Sequence, residues 1–359
     1  MSELWLVGGQ LITPRGIVQG AVRIARGRIV AIRSNAPGGA RTISARGCYI
    51  APGFIDLHVW GPPGIVSREA VKGGTSAFLT TLGPETPQRL LSSVEACARA
   101  VGVLGAECLG FHLEGPFLNP DRGGALPRRW MRWPTLREIS ALAQAARGRL
   151  RLVTFAPELP ETTAAIRWYA KHRIAVSLGH SDADATAALR AVDAGATAVT
   201  HVFNGMQPFH HRSPSLLDVA LTDPRLVAMV ICDGVHVSPS AFRLLVQAKG
   251  PDRIALVTDS IRFQGWDVVK RQGAYYTRRG VLAGSALTMI DAVRNAVTLG
   301  GVSIADAARM ASGVPARLLG DRTRGTLEVG KRADLVVFDR QLRVQRTIVG
   351  GCPVYQRRT

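Results

Sequence analysis

Short apolar runs punctuate the chain, and their rhythm changes near residue 52. Before that point Leu4–Val7, Ile17–Ile24, Arg28–Arg33 and Thr42–Ile43 run apolar or alternate, broken by Gly8-Gly9, Arg26-Gly27 and Gly38-Gly39. Alternation bounded by glycine turns predicts short strands. Beyond it, apolar runs of four to six residues alternate with longer stretches of helical period. The expected strands are Phe54–His58, Ser76–Thr80, Cys108–Leu113, Leu150–Phe155, Ile174–Leu178, Ala198–His201, Val227–Cys232 and Ile254–Thr258. Helical patterns separate most of them: Pro87–Val101, Thr135–Ala146, Thr162–Lys171, Asp182–Ala194 and Pro239–Ala248. Two further helices are expected at Ser285–Leu299 and Ile304–Ser312, before Ala333–Phe338 and Val344–Val349 return to strand patterns.

Strands buried on both faces read as continuous apolar runs, which is how parallel sheets appear in sequence. Eight such strands separated by helices predict a (β/α)8 barrel. A doubly wound sheet is the competing fold, but the glycine-rich phosphate loop expected after its first strand is missing. The two β-rich ends predict a small β-sandwich lobe beside the barrel. The expected division is therefore 1–51 with 321–359 for the lobe, and 52–320 for the barrel.

Composition narrows the class. With 359 residues and 47% apolar content the chain carries a full core, which excludes disorder. Its formal charge is +19, and only five of the 45 cations are lysines. That skew reads as a compositional habit, and no nucleic-acid partner is expected from it. The basic, aromatic string Arg128-Arg129-Trp130-Met131-Arg132-Trp133 reads as a surface loop near the mouth of the barrel, where a tryptophan could stack on a ligand's ring. Five cysteines without a C-x-x-C pair suit reduced thiols. The first nine residues lack the pattern of a secretory leader. No stretch approaches the roughly 20 apolar residues of a membrane span. A cytoplasmic protein without membrane contact is expected.

Barrel enzymes carry their chemistry at the C-terminal ends of the strands. Those ends hold Asp56-Leu57-His58, His112-Leu113-Glu114, His180, His201 and Asp259. One carboxylate and two imidazoles from separate strands supply three ligands and leave a fourth position for water, the makeup of a catalytic zinc site. Asp259 stands on a further strand end, where a general base would act. Each residue also has a structural reading: a satisfied core histidine, an arginine-paired glutamate, a helix-capping aspartate.

The strings APGFIDLHVWG (51–61), FHLEGPFLNP (111–120), SLGHSDAD (177–184), THVFNGM (200–206), DGVHVSP (233–239), LVTDS (256–260), LAGSALTM (282–289), RMASGVPARLLG (309–320) and GTLEVGKRADLVVFD (325–339) resemble the metal-dependent amidohydrolases. Within them the chain is most similar to the deacetylases of N-acetylated amino-sugar phosphates. The resemblance implies that Glu114, His180 and His201 hold one divalent metal per subunit, zinc first, with iron, manganese or cobalt as alternatives. It implies that Asp259 is the catalytic acid/base, with His58 as a second-site or substrate contact. Asn204 and Gly205 match residues that touch the sugar phosphate. Arg212 and His236 match a pair reaching the phosphate across a homodimer interface. The implied substrate is N-acetylglucosamine-6-phosphate, giving glucosamine-6-phosphate and acetate.

Departures from the family pattern are concentrated on the sugar-facing side. Trp60 stands where many members carry the second His of an H-x-H pair, which argues against two metals. Leu126 replaces a substrate-contacting His, Ser213 replaces a Glu, and the segment between Gly61 and Gly73 is short. No lysine lies at a predicted strand end, so a carboxylated lysine bridging two metals is not expected. The competing readings are another N-acyl sugar, such as N-acetylgalactosamine-6-phosphate, or a non-catalytic basic barrel.

Overall fold

The computed structural model describes residues 3–99, 105–263 and 267–358. Five strands open the chain: β1 (Leu4–Thr13), β2 (Gly16–Ala25), β3 (Arg28–Arg33), β4 (Thr42–Ser44) and β5 (Cys48–Pro52). Eight parallel strands then alternate with helices. They are β6 (Phe54–Trp60), β7 (Thr75–Leu82), β8 (Glu107–Glu114), β9 (Leu150–Phe155), β10 (Ala175–Leu178), β11 (Ala198–Val199), β12 (Val227–Ile231) and β13 (Ile254–Val257). All eight expected strands are present. In β6 every residue is buried, and β12 and β13 are likewise buried throughout, as strands covered on both faces must be.

The crossovers are α1 (Pro63–Ala70), α2 (Pro87–Arg99), α3 (Leu136–Ala145), α4 (Thr162–Lys171), α5 (Ala185–Ala194), α6 (Leu216–Thr222) and α7 (Pro239–Lys249). The expected end of the second helix, at residues 100–101, lies outside the described residues. Side chains set several starts. Asp184 caps α5 by accepting from the Ala187 N–H at 2.7 Å, so that helix begins later than its apolar period suggests. Gly195, at φ +117°, ends it. Ser215 and Asp218 form a reciprocal capping box on α6.

After β13 the chain makes β14 (Ser260–Ile261), the antiparallel strands β15 (Val268–Arg271) and β16 (Ala274–Thr277), and β17 (Leu282–Ser285). Then come α8 (Met289–Thr298), α9 (Ile304–Ala311) and α10 (Gly313–Leu318), followed by β18 (Leu335–Asp339), β19 (Val344–Val349) and β20 (Cys352–Gln356). The helix expected from Ser285 starts at Met289, because Ser285 ends β17 and Thr288 is the cap. Strands from both ends form one eight-stranded sheet, in the order β20-β19-β18-β5-β1-β2-β3, with β4 on β1. One face of this lobe shares the barrel's core: Ala51, Val336 and Phe338 join the cluster holding Phe54 and Leu79. Phe54 and Phe338 meet with ring centroids 6.3 Å apart.

The barrel closes where its last strand meets its first. β14 continues the line of β13 and pairs in parallel with β6, Ser260 opposite Val59 and Ile261 opposite Trp60. Asp56, buried on β6, accepts from the Thr258 hydroxyl at 2.5 Å and from the N–H groups of Thr258 and His58 at 3.2 Å each. Across β8 to β11 runs a buried polar chain, His112 Nε2 to Thr154 Oγ1 (2.7 Å), on to Thr200 Oγ1 (2.8 Å) and Ser177 Oγ (2.6 Å).

Removing the closure's hydroxyl in Thr258→Val leaves a buried carboxylate oxygen short of a donor. The expected loss is about 1–3 kcal/mol, read from urea denaturation. An unchanged midpoint would mean that the backbone bonds alone close the barrel.

Candidate active site

Glu114 ends β8, and its Oε1 lies 3.0 Å from His180 Nε2 and 2.8 Å from His201 Nε2. The two imidazole nitrogens are 3.1 Å apart. All three residues are buried, and among the described residues they are the only cluster of three or more His, Cys, Asp or Glu side chains with this convergence. Donors bonded to a tetrahedral zinc at about 2.0–2.2 Å sit roughly 3.3–3.6 Å from one another, so a small opening of this cluster suits one divalent cation. The tautomer agrees. His180 Nδ1 donates to the Arg122 carbonyl at 2.8 Å, which leaves Nε2 as the ring nitrogen turned into the cluster, free to bind a cation once its proton is displaced.

Backbone conformation marks the same residues. His180 (φ +48°), His201 (φ +29°) and Asp259 (φ +47°) all lie in the left-handed region that side chains other than glycine rarely adopt. Each such residue costs about 1–3 kcal/mol, and this strain persists only where the surroundings enforce it. Here those surroundings are visible. The Asp259 N–H donates to the His58 carbonyl at 2.8 Å, and the Asp259 carbonyl accepts from Ser285 at 2.9 Å. The loop at His180 is tied by Glu158, which accepts from the Ser181 hydroxyl (2.7 Å), the Asp182 N–H (2.6 Å) and the Asn119 amide (2.9 Å).

His58 sits beneath the cluster, its Nε2 at 3.2 Å from Glu114 Oε2 and 3.3 Å from Asp259 Oδ1. Burial alone would push its pKa down, but the two carboxylates prevail and raise it to about 9. Burial likewise works against the Glu114 carboxylate, yet the imidazoles around it, His58 first, hold it well below the usual range. His180 is raised, its burial outweighed by the Glu114 hydrogen bond and charge. A cation arriving here replaces protons that otherwise balance Glu114. His112 lies edge-on to His58 with centroids 4.7 Å apart, and burial drives its pKa well below the ordinary value, so it is neutral.

Glu114, His180, His201 and Asp259 line a cavity of about 220 Å³ at the C-terminal ends of the strands. Asn204, Gly205 and His236 line it with them, as do Trp60, Leu126, Ile231 and residues 281–284. Gly205 stands at φ +64°, and a Cβ there would come 3.0 Å from His180 Nδ1. His236 is held by Asp233, its Nδ1 2.6 Å from Oδ2. Arg212 is exposed on a loop outside the cavity lining. The expectation of tryptophans stacking from 128–133 is corrected: neither Trp130 nor Trp133 borders the cavity, and Trp133 is 63% exposed. Nor is that string a bare basic patch, because Arg132 forks onto Glu138.

A larger cleft of about 1010 Å³ separates the lobe from the starts of β8 and β9. Two of its arginines are engaged in an ion network: Arg332 reaches Glu107 (2.7 Å) and Asp334 (3.0 Å), and Arg324 reaches Asp321 (2.8 Å). The Arg332–Glu107 pair ties lobe to barrel across the cleft.

Sequence reading did not single out Glu158, whose only signal is an acid three residues past the end of β9. It also could not show that the Trp60 indole N–H donates to Asp259 Oδ1 at 2.8 Å.

Comparison with known proteins agrees with this geometry. The amidohydrolase family profile matches residues 49–354. The N-acetylglucosamine-6-phosphate deacetylase of Bacillus subtilis (strain 168) is 37% identical over 331 residues, covering 84% of this chain and 83% of its own. The N-acetylgalactosamine-6-phosphate deacetylase of Escherichia coli O157:H7 is 35% identical over 331 residues, 84% of this chain and 86% of its own. The crystal structure of N-acetylglucosamine-6-phosphate deacetylase from Pasteurella multocida superposes with a TM-score of 0.91 at 27% identity, over 99% of this chain and 100% of that one.

Glu158→Ala should loosen the loop carrying His180 and weaken divalent-metal binding by about 10–100-fold, the usual cost of losing a group that orients a ligand. Competition titration against a chromogenic chelator measures it. Unchanged affinity would mean the loop's backbone bonds suffice.

Proposed function

The chain belongs to the amidohydrolase family, and from that premise we propose a metal-dependent deacetylase that hydrolyses N-acetylglucosamine-6-phosphate to glucosamine-6-phosphate and acetate. The observation that carries the reading is the convergence of Glu114, His180 and His201 within a cavity that also holds Asp259. As an amidohydrolase it cleaves a C–N amide bond.

In this reading Glu114, His180 and His201 hold one divalent ion per subunit, zinc before iron, manganese or cobalt. When bound, such an ion polarises an amide carbonyl and acidifies water. Asp259 accepts the proton of the attacking water and returns it to the departing amine, the double duty of a general acid/base. His58, between Glu114 and Asp259, keeps the two carboxylates from facing one another unscreened. Asn204, Gly205 and His236 border the space left for the sugar. A guanidinium suits a phosphate because its planar fork offers paired donors. Arg212, outside its own cavity on the loop of exposed Phe209, is assigned to a partner's phosphate in a homodimer. His236 borders the cavity of its own chain, which supports a contact there as well. The charge of a sugar phosphate keeps it from crossing membranes, and five free cysteines accompany it here, so the cytoplasm is the proposed compartment. No helix among the described residues is long and apolar enough to cross a membrane.

Acetate release from N-acetylglucosamine-6-phosphate, compared between zinc-loaded and EDTA-stripped protein, tests the reaction. Turnover should require metal and exceed about 10⁴ M⁻¹s⁻¹ in kcat/KM, the low end of ordinary enzyme efficiency. The Escherichia coli relative makes the galacto epimer the second substrate to assay. Faster turnover of that epimer would reassign the sugar and leave the chemistry.

Asp259→Asn should keep its metal while kcat falls about 10²–10⁴-fold; near-normal turnover would remove Asp259 from the mechanism. Arg212→Ala should raise KM for the phosphorylated sugar far more than for its dephosphorylated analogue. Equal losses on both would make Arg212 structural.

A further inference from the structure

Trp60 is the last residue of β6 and is only 7% exposed, yet it borders the cavity. Its indole N–H donates to Asp259 Oδ1 at 2.8 Å, and His58 Nε2 lies 3.3 Å from the same oxygen. No described side chain hydrogen-bonds Asp259 Oδ2, so the carboxylate presents one saturated oxygen and one open oxygen. The indole is itself confined. A Cβ added at Gly83 would stand 2.9 Å from Trp60 Cη2 and 3.7 Å from Leu126 Cδ2, so the ring's far edge rests on bare backbone beside Leu126. Neighbouring backbone bonds already fix the Asp259 main chain, and the indole N–H restrains the remaining freedom, rotation of the carboxylate.

A carboxylate oxygen that accepts an N–H has committed that lone pair. A second cation bridged through Oδ1 would face the indole hydrogen, and indole nitrogen offers no lone pair as a ligand. Resting on the assignment of Asp259 as the proton-transferring group, we propose that Trp60 is a positioning residue. It holds Oδ1 so that Oδ2 faces the substrate, and it fills with a hydrogen-bond donor the place of a second metal ion. The protein is thereby restricted to one metal.

The test uses full-length, metal-loaded protein carrying Trp60→Phe, Trp60→Gln or Trp60→His. Trp60→Phe should retain one metal equivalent and a KM within about twofold of wild type, while kcat falls about 10- to 100-fold, the range for losing a hydrogen bond to a charged group. Glutamine places an amide N–H as many bonds from Cα as the indole N–H, so Trp60→Gln should recover part of kcat. Trp60→His restores a ligand nitrogen beside His58 and should take up a second equivalent of cobalt, followed by its visible absorption.

Wild-type kcat in Trp60→Phe overturns the proposal. So does a Trp60→Phe protein that loses its metal with a parallel rise in KM, or a Trp60→His protein that stops at one equivalent of cobalt. If Trp60→Phe does not fold, Trp60→Gln decides: kcat near wild type supports the proposal, and kcat as low as that of Asp259→Asn overturns it. An impaired Asp259→Asn beside an unimpaired Trp60→Phe removes this inference alone. Unimpaired Asp259→Asn removes the assignment of Asp259 itself.

Discussion

The closure of the barrel by the buried Asp56 carboxylate is the contact on which the site's assembly turns. It takes three hydrogen bonds from two segments about 200 residues apart in sequence, the Thr258 hydroxyl and the N–H groups of Thr258 and His58. Burial pushes the pKa of Asp56 up, and those three donors pull against it. A buried charge is tolerable only when its lone pairs are met, so the requirement to satisfy Asp56 fixes the register between the first and last barrel strands. That register in turn sets His58 and Trp60 beside Asp259. From there the geometry passes to Glu114 through His58, and on to His180 and His201.

Most of the fold was legible because parallel strands covered on both faces leave an unbroken apolar trace. Val227–Ile231 and Ile254–Val257 needed only that trace to be found. The candidate site was legible too, since the ends of five of the eight barrel strands carried a histidine or an acid. Less visible were elements whose cause is tertiary. α1 occupies the short segment after Gly61, for which no helix was expected, and α6 has only seven residues, too few for periodicity to register. The pairing of β15 with β16 joins residues that, Ala274 apart, are half-exposed or exposed and show no clean alternation. Glu158 and Trp60 were beyond reach for a different reason. Their roles lie in bonds to Ser181 and Asp259, and no local pattern encodes a partner 23 or 199 residues away.

Stability and reactivity draw on the same structure unequally. The left-handed backbones at His180, His201 and Asp259 are held by neighbouring hydrogen bonds, among them those made by Glu158, His58 and Ser285. Beneath them the chain of hydroxyls from His112 to Ser177 gives the barrel interior polar partners without introducing charge. The site is thus a strained layer supported by a neutral one, and this arrangement keeps Glu114 as the dominant negative centre among its imidazoles.

The interleaving of the chain's two ends carries a consequence for how the molecule is made. β5 lies between β1, from the same end, and β18, whose pairing partners Leu335–Asp339 are about 280 residues further along. During synthesis the strands up to β5 emerge with one edge of their sheet unpaired, and they stay that way until Leu335–Asp339 have left the ribosome. Exposed strand edges invite pairing with other chains. The nascent N-terminal strands are therefore the segment most in need of protection by chaperones, and the barrel has time to form before its lobe can be completed.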